Sequence, residues 1–480
     1  MSFEIFIAIT FPFFISYFLI LMLYYCLLIF IGFIEGGKRS HQHHAEDYAS
    51  LSFSTFTIPV SIIVPAHNEE VWIRDSLLSI LNLDYPKFEV IVVDDESTDG
   101  TLKKIDDMLD LDSANNPFVD QFKSGKISNI LKSNIHPNVT VLSRPLQYKE
   151  KRDVTVISKH SGYKKAGALN TALNMVKYKY VCIIDGDTIL EPDALKKVMI
   201  HIQKNPENII GIGSYFGLVN GFTLQDGMVV ERHFFKNLIT AYQNLEYIRS
   251  FIGNRIAWSR YNCLPIISGG FAIWRRDVIM DMGGFSTSFS SEDLEFTFRA
   301  QEYVAKNKEK RYRIMMLPYY VGWTQGPSSV RTLIQQRNRW QRIENEGMWR
   351  YRHMLLNPKY GAFAFLSLPY FLLYEVLGVF FELFSIILVL TGALLGFLDV
   401  KMLLAFLTLM ILSYSLISIS SLFSFIRNQK MFRTRDLFFF ICLSFLESFW
   451  YRWVLAIAKI SGTYSFLRRV RSHDQYLRTR

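Results

Sequence analysis

The sequence predicts an α/β domain that is flanked on both sides by transmembrane segments. Short apolar runs rich in β-branched residues alternate with helical patterns in its middle region, as strands and helices do in α/β proteins. Long apolar stretches lie before and after that region and exceed the roughly 20 residues that cross a bilayer. Half of the 480 residues are hydrophobic and 20% are charged, which fits a soluble domain joined to membrane segments better than either alone.

The first apolar stretch, Phe3 to Ile34, is long enough for one membrane helix and short for two helices with a turn. It lacks a basic start and a small-residue cleavage site, so we do not expect a removed signal peptide. Lys38 and Arg39 follow it, and basic flanks of this kind lie on the cytoplasmic side. We therefore expect a transmembrane segment over residues 1–35, a polar linker over 36–58 and a cytoplasmic domain over 59–355.

Charge and cysteine content narrow the class of protein. The formal net charge is +10, but Lys and Arg cluster beside apolar runs, and no DNA or RNA recognition motif stands out. We therefore expect a lipid bilayer as a partner and no nucleic acid.

The four cysteines lie far apart without metal-ligand spacing, which predicts reduced thiols rather than a disulfide framework. The linker histidines His41, His43 and His44 are interpreted as solvated rather than metal-binding.

Two strands are predicted early in the domain, and each ends in a polar loop that leads into a helix. They are Val60 to Val64 and Phe88 to Val93. Ligands of α/β sheets bind at the carboxyl ends of strands, and the second strand is followed by Asp94, Asp95 and Asp99. The sequence has neither a glycine-rich dinucleotide fingerprint nor a phosphate-binding loop ending in Gly-Lys-Ser/Thr. These carboxylates are predicted to serve sugar and base groups or a metal; the alternative for each is a solvated turn that caps the next helix.

The stretch from Tyr180 to Leu190 carries the clearest pair of candidate ligands. Val181 to Ile184 has the pattern of a short buried strand, and it is followed by Asp185, Gly186 and Asp187. Residues two apart in an extended chain point to the same side, so both carboxylates can face one point, and glycine lets the backbone approach it. Mg²⁺ takes one or two carboxylates and completes its shell with water and phosphates. The alternative is an Asp-Gly turn that closes a hairpin.

Three further segments place charged residues on predicted helices. Lys165 opens a helix, where the helix dipole does not favour a cation; it is a candidate phosphate contact, and the alternative is a solvated lysine. Glu292 and Asp293 open another helix, a placement that by itself explains both acids structurally. Arg339 and Trp340 lie on a basic helical stretch and form either a surface stack or a site that grips phosphate and a sugar face.

An amphipathic helix is also predicted over Asp226 to Trp258. Beyond it, the C-terminal part is predicted to be a transmembrane or interfacial region over 356–460 with a basic cytoplasmic tail over 461–480. Tyr360 to Arg427 fits two crossings, whereas Leu437 to Ile460 is apolar but interrupted by charges. A single crossing there conflicts with a cytoplasmic tail, so we expect a broken, re-entrant or interfacial segment. Three acids are either a polar conduit or helix ends near the headgroups: Glu375, Glu382 and Glu447.

These landmarks, in this order, resemble those of the membrane-integrated family 2 processive glycosyltransferases. That group includes cellulose, hyaluronan, chitin and poly-N-acetylglucosamine synthases. The resemblance implies a GT-A-type fold that binds a nucleotide sugar, usually a UDP sugar, with Mg²⁺ or Mn²⁺, in a multi-pass protein of the cell membrane. The landmarks are the Val60–Glu70 strand and loop, Asp94-Asp95 with Ser97 and Asp99, Lys165 to Asn170, Asp185-Gly186-Asp187, Glu292-Asp293, and Gln336 to Trp340.

The resemblance also implies a role for each matching residue. The implied nucleotide-sugar contacts are Asp94, Asp95, Lys165 and Asp185; the metal ligands are Asp185 and Asp187; the general base is Asp293; and the residues that border the acceptor and the leaving diphosphate are Gln336, Arg339 and Trp340. Gln325 stands where many relatives carry a glutamate, so the role of that carboxylate is not carried over.

The implied reaction is inverting transfer of a sugar to a growing β-linked polysaccharide, with export partners as an option. One alternative is transfer of a single sugar to a lipid or another acceptor. The other is a non-catalytic membrane transport or scaffold protein that has kept the fold.

Overall fold

The structure, a computed structural model, describes residues 3–48, 51, 56–109, 139–141, 146–148, 152–159, 164–234, 236–396, 400–428 and 431–478. The chain forms two compact units. The helical unit consists of Met1–Lys38, Phe234–Cys263 and Gly326–Arg480, and the α/β unit consists of Arg39–His233 and Leu264–Gln325.

Neither unit coincides with the predicted domain over 59–355, because part of that range packs with the C-terminal helices. Asn338 donates a hydrogen bond to Ser461 (2.7 Å), and Asn345 donates one to Thr463 (3.1 Å). These contacts place residues 326–355 in the helical unit.

The α/β unit is built on a mixed sheet that contains ten of the described strands. The described strands are β1 Val60–Ala66, β2 Phe88–Asp95, β3 Val139–Val141, β4 Leu146–Tyr148, β5 Arg152–Lys159, β6 Tyr180–Ile183, β7 Ile189–Leu190, β8 Ile209–Leu218, β9 Thr223–Gln225, β10 Met228–Glu231, β11 Ala272–Arg275 and β12 Arg313–Thr324. The order in the large sheet is β3-β5-β2-β1-β6-β11-β8-β12-β7, with β4 paired to β5, while β9 and β10 form a separate hairpin. The strands predicted from Val60, Phe88 and Val181 are confirmed.

Parallel pairing brings the ends of four strands to one place. β1 pairs in parallel with β2 and β6, and β2 pairs in parallel with β5, so that Ala66 lies opposite Asp94 and Asp95 lies opposite Lys159. β11 runs antiparallel to β6, with Ala272 opposite Ile183, so the loop before β11 reaches the same end. We call this region, where β1, β2, β5 and β6 end, the carboxyl end of the sheet.

Helices cover the sheet and connect its parallel strands, as the alternating pattern predicted. Strands β1, β2 and β6 are buried along their whole length, which their β-branched, apolar composition explains. The helices of the α/β unit are Ile73–Leu81, Thr101–Leu109, Lys164–Leu173, Ala194–Lys204, Arg276–Asp281 and Glu292–Lys306, with a 3₁₀ turn at Lys308–Lys310.

The predicted amphipathic helix over Asp226 to Trp258 is wrong in its first part. Asp226 (φ 50°) and Gly227 (φ 74°) both adopt left-handed backbone angles, which suit the two-residue turn of the β9–β10 hairpin. A helix begins only at Leu238, after Asn237, whose side chain accepts a hydrogen bond from the Thr240 N–H (2.9 Å).

The helical unit is assembled from segments that are far apart in the sequence. After the first helix, its elements are Leu238–Ile248, a π turn at Arg249–Arg255, Ile256–Arg260, Val330–Arg350, 3₁₀ turns at Arg352–Met354 and Pro358–Tyr360, Phe363–Val376 (mixed π and α turns), Gly378–Leu394, Val400–Asn428, Thr434–Leu446, a 3₁₀ turn at Glu447–Phe449, and Tyr451–Arg478.

The first helix runs over Phe3–Ala45 as one element, so the predicted polar linker over 36–58 begins inside it. Within the α/β unit, the Arg39 guanidinium donates to the Met316 carbonyl (2.6 Å), and the His43 ring stacks on Tyr319 at 4.5 Å. His43 is therefore packed rather than solvated. In the described part of the chain, no cluster of three or more His, Cys, Asp or Glu residues could hold a metal ion.

By length and composition, one described helix can cross a membrane, over Pro12–His43. The number rises to three if each of two bent helix pairs counts as one span. One pair, Phe363–Val376 with Gly378–Leu394, bends by 48°, and the other, Thr434–Phe449 with Tyr451–Arg468, bends by 53°. The second bend interrupts the helix within 437–460, which fits a broken span or a re-entrant segment.

The three acids of the apolar helices are all paired within the helical unit: Glu375, Glu382 and Glu447. The Arg249 guanidinium donates two hydrogen bonds of 2.9 Å to the Glu447 carboxylate. The other two pairs are Arg452 with Glu382 (2.8 Å) and Lys459 with Glu375 (3.2 Å). Pairing offsets the cost of removing these charges from water.

Candidate active site

The turn after β6 lies at the carboxyl end of the sheet. It carries Asp185 and Asp187, and the Thr188 N–H donates to the Asp185 carbonyl (3.0 Å). The interpretation of this turn as a hairpin is wrong, because β6 pairs with β1 and β11, whereas β7 pairs with β12. Glycine suits position 186 because neighbouring residues lie close to its backbone. A Cβ atom there would lie 3.2 Å from Glu69 Cγ and 3.3 Å from the Pro65 carbonyl oxygen.

Three carboxylates crowd around this turn. Burial, followed by the charge of Asp185, raises the pKa of Asp187 to about 6. Burial, followed by the charges of Asp187 and Asp185, raises the pKa of Glu69 to about 8. The Thr324 hydroxyl, at the end of β12, donates to Asp187 Oδ1 (3.0 Å) and fixes its orientation. The turn is thus a site of concentrated negative charge that a cation would stabilise.

Lys165, in the first turn of the Lys164–Leu173 helix, supplies one such cation. Its Nζ lies 2.5 Å from Asp185 Oδ1 and 2.5 Å from Glu292 Oε1. Burial lowers the pKa of the ammonium, but these two carboxylates outweigh burial and raise the pKa above its ordinary value. Lys165 is therefore ion-paired rather than simply solvated. The pair with Glu292 brings together two segments that are far apart in the sequence.

Asp293 lies next to Glu292 but has different partners. The Leu294 N–H (2.7 Å) and the Ser291 hydroxyl donate to Asp293 Oδ1. The Gly269 N–H donates to Asp293 Oδ2 at 3.4 Å. Gly269 therefore lies between the base candidate and the Lys165 pair.

Asp94 and Asp95 end β2, and both are buried, which does not fit the solvated-turn alternative. Asp95 forms an ion pair with Lys159, its neighbour on β5. Burial raises the pKa of Asp94, and its Oδ1 is buried without a hydrogen-bond partner. A buried acceptor of this kind fits a ligand that brings an N–H or O–H donor.

Asp99 matches the capping alternative. Its Oδ1 accepts from the Thr101 N–H (2.9 Å) at the start of the next helix, and its Oδ2 accepts from the Glu70 N–H (3.1 Å). Asn68 accepts in turn from the Thr98 N–H (2.8 Å). These bonds join the loops after β1 and β2, so Asp99 has a structural role in this site.

Gln336, Arg339 and Trp340 belong to the helical unit. Gln336 Oε1 is buried without a hydrogen-bond partner, and Arg339 is exposed. The cation over the Trp340 ring is Arg337, at 4.1 Å from the ring centre, and it also donates to Glu246 (2.8 Å). The stacking predicted for this stretch therefore exists, with Arg337 in place of Arg339.

The residues present fit a divalent cation at the Asp185–Asp187 turn. Two carboxylates are in place, and burial, followed by the charge of Asp185, raises the pKa of Asp187, so a cation there would stabilise its charged form. Mg²⁺ and Mn²⁺ suit such a pair, because Mg²⁺ takes one or two protein carboxylates and keeps positions for water and substrate phosphates.

Several residues of the site were not predicted. Gly269, Thr324 and Lys159 each contact a predicted site residue from a distant part of the sequence. Lys159 and Thr324 share one signal that could have identified them: each is the last residue of a strand.

Comparison with known families identifies this arrangement. A family model described as "Glycosyl transferase family group 2" matches residues 180–464, more than half of the chain. A second model, "Glycosyl transferase family 2", matches residues 61–133. The chain belongs to glycosyl transferase family group 2. It is a glycosyltransferase, which confirms the predicted enzyme class.

Similar proteins support the same family. The chain is 27% identical to "Probable glycosyltransferase YdaM" of Bacillus subtilis over 335 residues, 68% of this chain and 65% of the relative. It is 23% identical to a poly-beta-1,6-N-acetyl-D-glucosamine synthase of Staphylococcus epidermidis over 292 residues, 61% of this chain and 56% of the synthase. The chain thus spans less than two thirds of either relative.

A solved structure shows a shared fold. A mannosyltransferase from Pyrobaculum calidifontis, solved with GDP-Man and Mn²⁺, matches with a TM-score of 0.50 and 18% identity over 90% of this chain and 99% of its own. Together with the family match, it confirms a GT-A-like α/β fold.

Two adjacent glycines allow a matched test of the site. A Cβ atom at Gly269 would lie 2.6 Å from Lys165 Nζ, the end of a flexible side chain. Gly269→Ala should therefore move the ammonium while the fold persists, and lower the rate of sugar transfer by roughly 10- to 100-fold, as small misplacements do. Transfer rate and thermal unfolding of the purified protein would be measured together.

Gly270→Ala is the matched control for Gly269→Ala. Its Cβ atom would lie 2.9 Å from the Phe216 ring, which is buried, so we expect a loss of stability of about 1–3 kcal/mol. A wild-type transfer rate in Gly269→Ala would show that the position of Lys165 does not matter for the reaction.

Proposed function

We propose that this glycosyltransferase moves a sugar from a nucleoside diphosphate sugar, usually a UDP sugar in the family it resembles, to a growing β-linked glycan, with inversion at the anomeric carbon. The proposal rests on the following arrangement of residues. The Asp185–Asp187 turn and Asp293 lie at the same end of the sheet, linked through Lys165, Glu292 and Gly269. The residues proposed to face the diphosphate and the proposed base are thus neighbours, which supports the proposal.

The donor half of the site consists of the ends of β2 and β6. The unpartnered Asp94 Oδ1 can accept from a donor group of the nucleoside, next to the Asp95–Lys159 pair. Asp185, Asp187 and Lys165 would face the diphosphate, with Mg²⁺ or Mn²⁺ held by the two carboxylates. The cation, when bound, would offset the charge that develops on the departing diphosphate. The GDP-Man and Mn²⁺ in the structure from Pyrobaculum calidifontis support this pairing of ligands.

The acceptor half would contain Asp293. Backbone and hydroxyl donors from Leu294, Ser291 and Gly269 hold its carboxylate in place. In the proposed step, Asp293 takes the proton of an acceptor hydroxyl, whose oxygen bonds to the anomeric carbon as the bond to the diphosphate breaks. One displacement inverts that carbon, so an α-linked donor gives a β-linked product. Gln336, Arg339 and Trp340 would border the acceptor and the leaving diphosphate.

A membrane location with a cytoplasmic catalytic domain is part of the proposal. Its support is the apolar helix over Pro12–His43, the two bent apolar helix pairs and the basic residues that flank them. Membrane-crossing helices would give a growing chain a route out as it is made. The similarity to a polysaccharide synthase supports a glycan product.

The direct test supplies the detergent-purified protein with Mn²⁺ or Mg²⁺ and a panel of UDP-GlcNAc, UDP-glucose and GDP-mannose. We expect one donor to release its nucleoside diphosphate and to yield a carbohydrate product that lengthens with time, and EDTA to stop both. Products that carry one added sugar would favour the single-transfer alternative. Absence of turnover with every donor would favour the non-catalytic alternative, and full turnover in EDTA would contradict the metal assignment.

The base assignment predicts a specific kinetic defect. Asp293→Asn removes the proton acceptor but keeps the size and most hydrogen bonds of the side chain. The rate of transfer should fall by roughly 10²–10⁴, as it does when a general base is lost. Binding of UDP with Mn²⁺, measured by titration calorimetry, should stay close to wild type. Glu302→Gln, on the same helix and paired with Lys306 (3.1 Å), is the control. Near-normal turnover in Asp293→Asn would place the base elsewhere.

A further inference from the structure

Glu292 has no role in the proposed reaction so far, yet its position is highly constrained. Its carboxylate is largely buried, with the side chain 12% exposed, and lies 2.5 Å from Lys165 Nζ. Among the described ion pairs, Lys165 has two partners, Glu292 and Asp185, at equal distance. One ammonium is thus shared by a carboxylate of the metal-site turn and a carboxylate outside it.

The backbone around this pair is fixed by a second contact between the same two segments. Asn170, on the helix that Lys165 opens, donates to the Phe285 carbonyl (2.8 Å) and accepts from the Phe285 N–H (2.8 Å). Phe285 lies in the loop that leads to Ser291 and Glu292. The distance between the start of the Lys165 helix and Glu292 is therefore set by structure that does not involve the ion pair itself.

Gly269 restricts Lys165 from a further side. A Cβ atom at this position would lie 2.6 Å from Lys165 Nζ, 3.2 Å from Glu292 Oε1 and 3.6 Å from Asp185 Oδ2. The ammonium is thus confined to a small space bounded by the two carboxylates and the Gly269 backbone. Within that space, a shift from one carboxylate to the other needs only side-chain rotation.

We propose that Glu292 is a positioning residue that retains the Lys165 ammonium when a divalent cation occupies the Asp185–Asp187 turn. This inference rests on the proposed function, since it assumes that the turn holds a metal. A dication at Asp185 repels a neighbouring ammonium and competes with it for the same oxygen. Glu292 provides the second carboxylate toward which Lys165 withdraws, and from which it can still reach a donor diphosphate.

The consequence is measurable without turnover. If Glu292 is neutral, Lys165 keeps Asp185 as its one ion-pair partner among the described residues, and a metal must displace it outright. Glu292→Gln should therefore weaken binding of Mn²⁺ in the absence of nucleotide by roughly 5- to 50-fold, the range expected for coupling between groups in contact. Free Mn²⁺ can be counted by electron paramagnetic resonance in a titration of the purified full-length chain.

Removing a negative charge also weakens attraction for Mn²⁺ directly, so the test needs a second background. In Lys165→Met there is no ammonium to retain, and Glu292→Gln should change the Mn²⁺ affinity by about 2-fold or less, since the coupled partner is gone. The two variants and the double variant form a cycle that separates retention of Lys165 from the direct charge effect.

A matched control comes from the same helix. Glu295 is buried and pairs with Arg299 (2.9 Å), so Glu295→Gln removes a similar pair without touching Lys165 and should leave Mn²⁺ affinity unchanged. Glu292→Asp, which keeps the charge on a shorter side chain, should bind Mn²⁺ more tightly than Glu292→Gln. It also keeps the test available if Glu292→Gln does not fold.

Equal weakening by Glu292→Gln with and without Lys165 would overturn the inference, as would no weakening in either background. Neither result would affect the proposed function, which depends on donor turnover in the wild-type protein. Failure of the wild-type protein to bind Mn²⁺ at all, with or without UDP, would overturn the inference together with the metal assignment on which it rests, whereas the proposed sugar transfer is tested separately by donor turnover.

Discussion

Like charges in a confined, partly buried space repel one another, and the carboxyl end of the sheet brings several carboxylates into such a space. Burial, followed by the charges of neighbouring carboxylates, raises the pKa values of Asp187 and Glu69. Lys165 offsets part of the repulsion by pairing with Asp185 and Glu292. A site with this balance of charge favours a bound cation, or a ligand that carries a cation with it. It disfavours a diphosphate without a cation. In the proposed reaction, a divalent cation would complete this balance of charge.

The sheet topology produces this concentration of charge. Parallel pairing of β1, β2, β5 and β6 brings four strand ends together, and the antiparallel β11 adds the loop that contains Gly269. A helix that starts after β5 supplies Lys165, and a helix N-terminus supplies Asp293, where backbone N–H groups are available. Each candidate side chain of the α/β unit is thus placed near the end of a strand or helix, which is where side chains can face a ligand without disrupting the core. The helical unit handles charge differently, by direct pairing of Arg249, Arg452 and Lys459 with acids on its apolar helices.

Local patterns predicted several of the strands and helices that carry the candidate site residues, because such patterns depend on the nearest residues. The apolar run before Asp185 is a strand, and the acids after Ser291 begin a helix, as their sequences indicate. Contacts between distant segments could not be predicted from local patterns. Nothing near Glu292 in the sequence identifies Lys165 as its partner, and nothing near Asp187 indicates a contact with Thr324. The helix predicted from Asp226 failed for a related reason, since its apolar spacing was read across an Asp-Gly pair whose left-handed backbone forms a hairpin turn.

In the proposed reaction, Asp293 deprotonates the acceptor in a single displacement on a donor whose diphosphate is held at the Asp185–Asp187 turn. The most direct measurement is the anomeric configuration of the first glycosidic bond formed from an α-linked nucleotide sugar, determined by proton NMR on an isolated product. A single displacement predicts a β-linkage. A product with a retained α-linkage would require a different arrangement of reacting groups and would contradict this reaction.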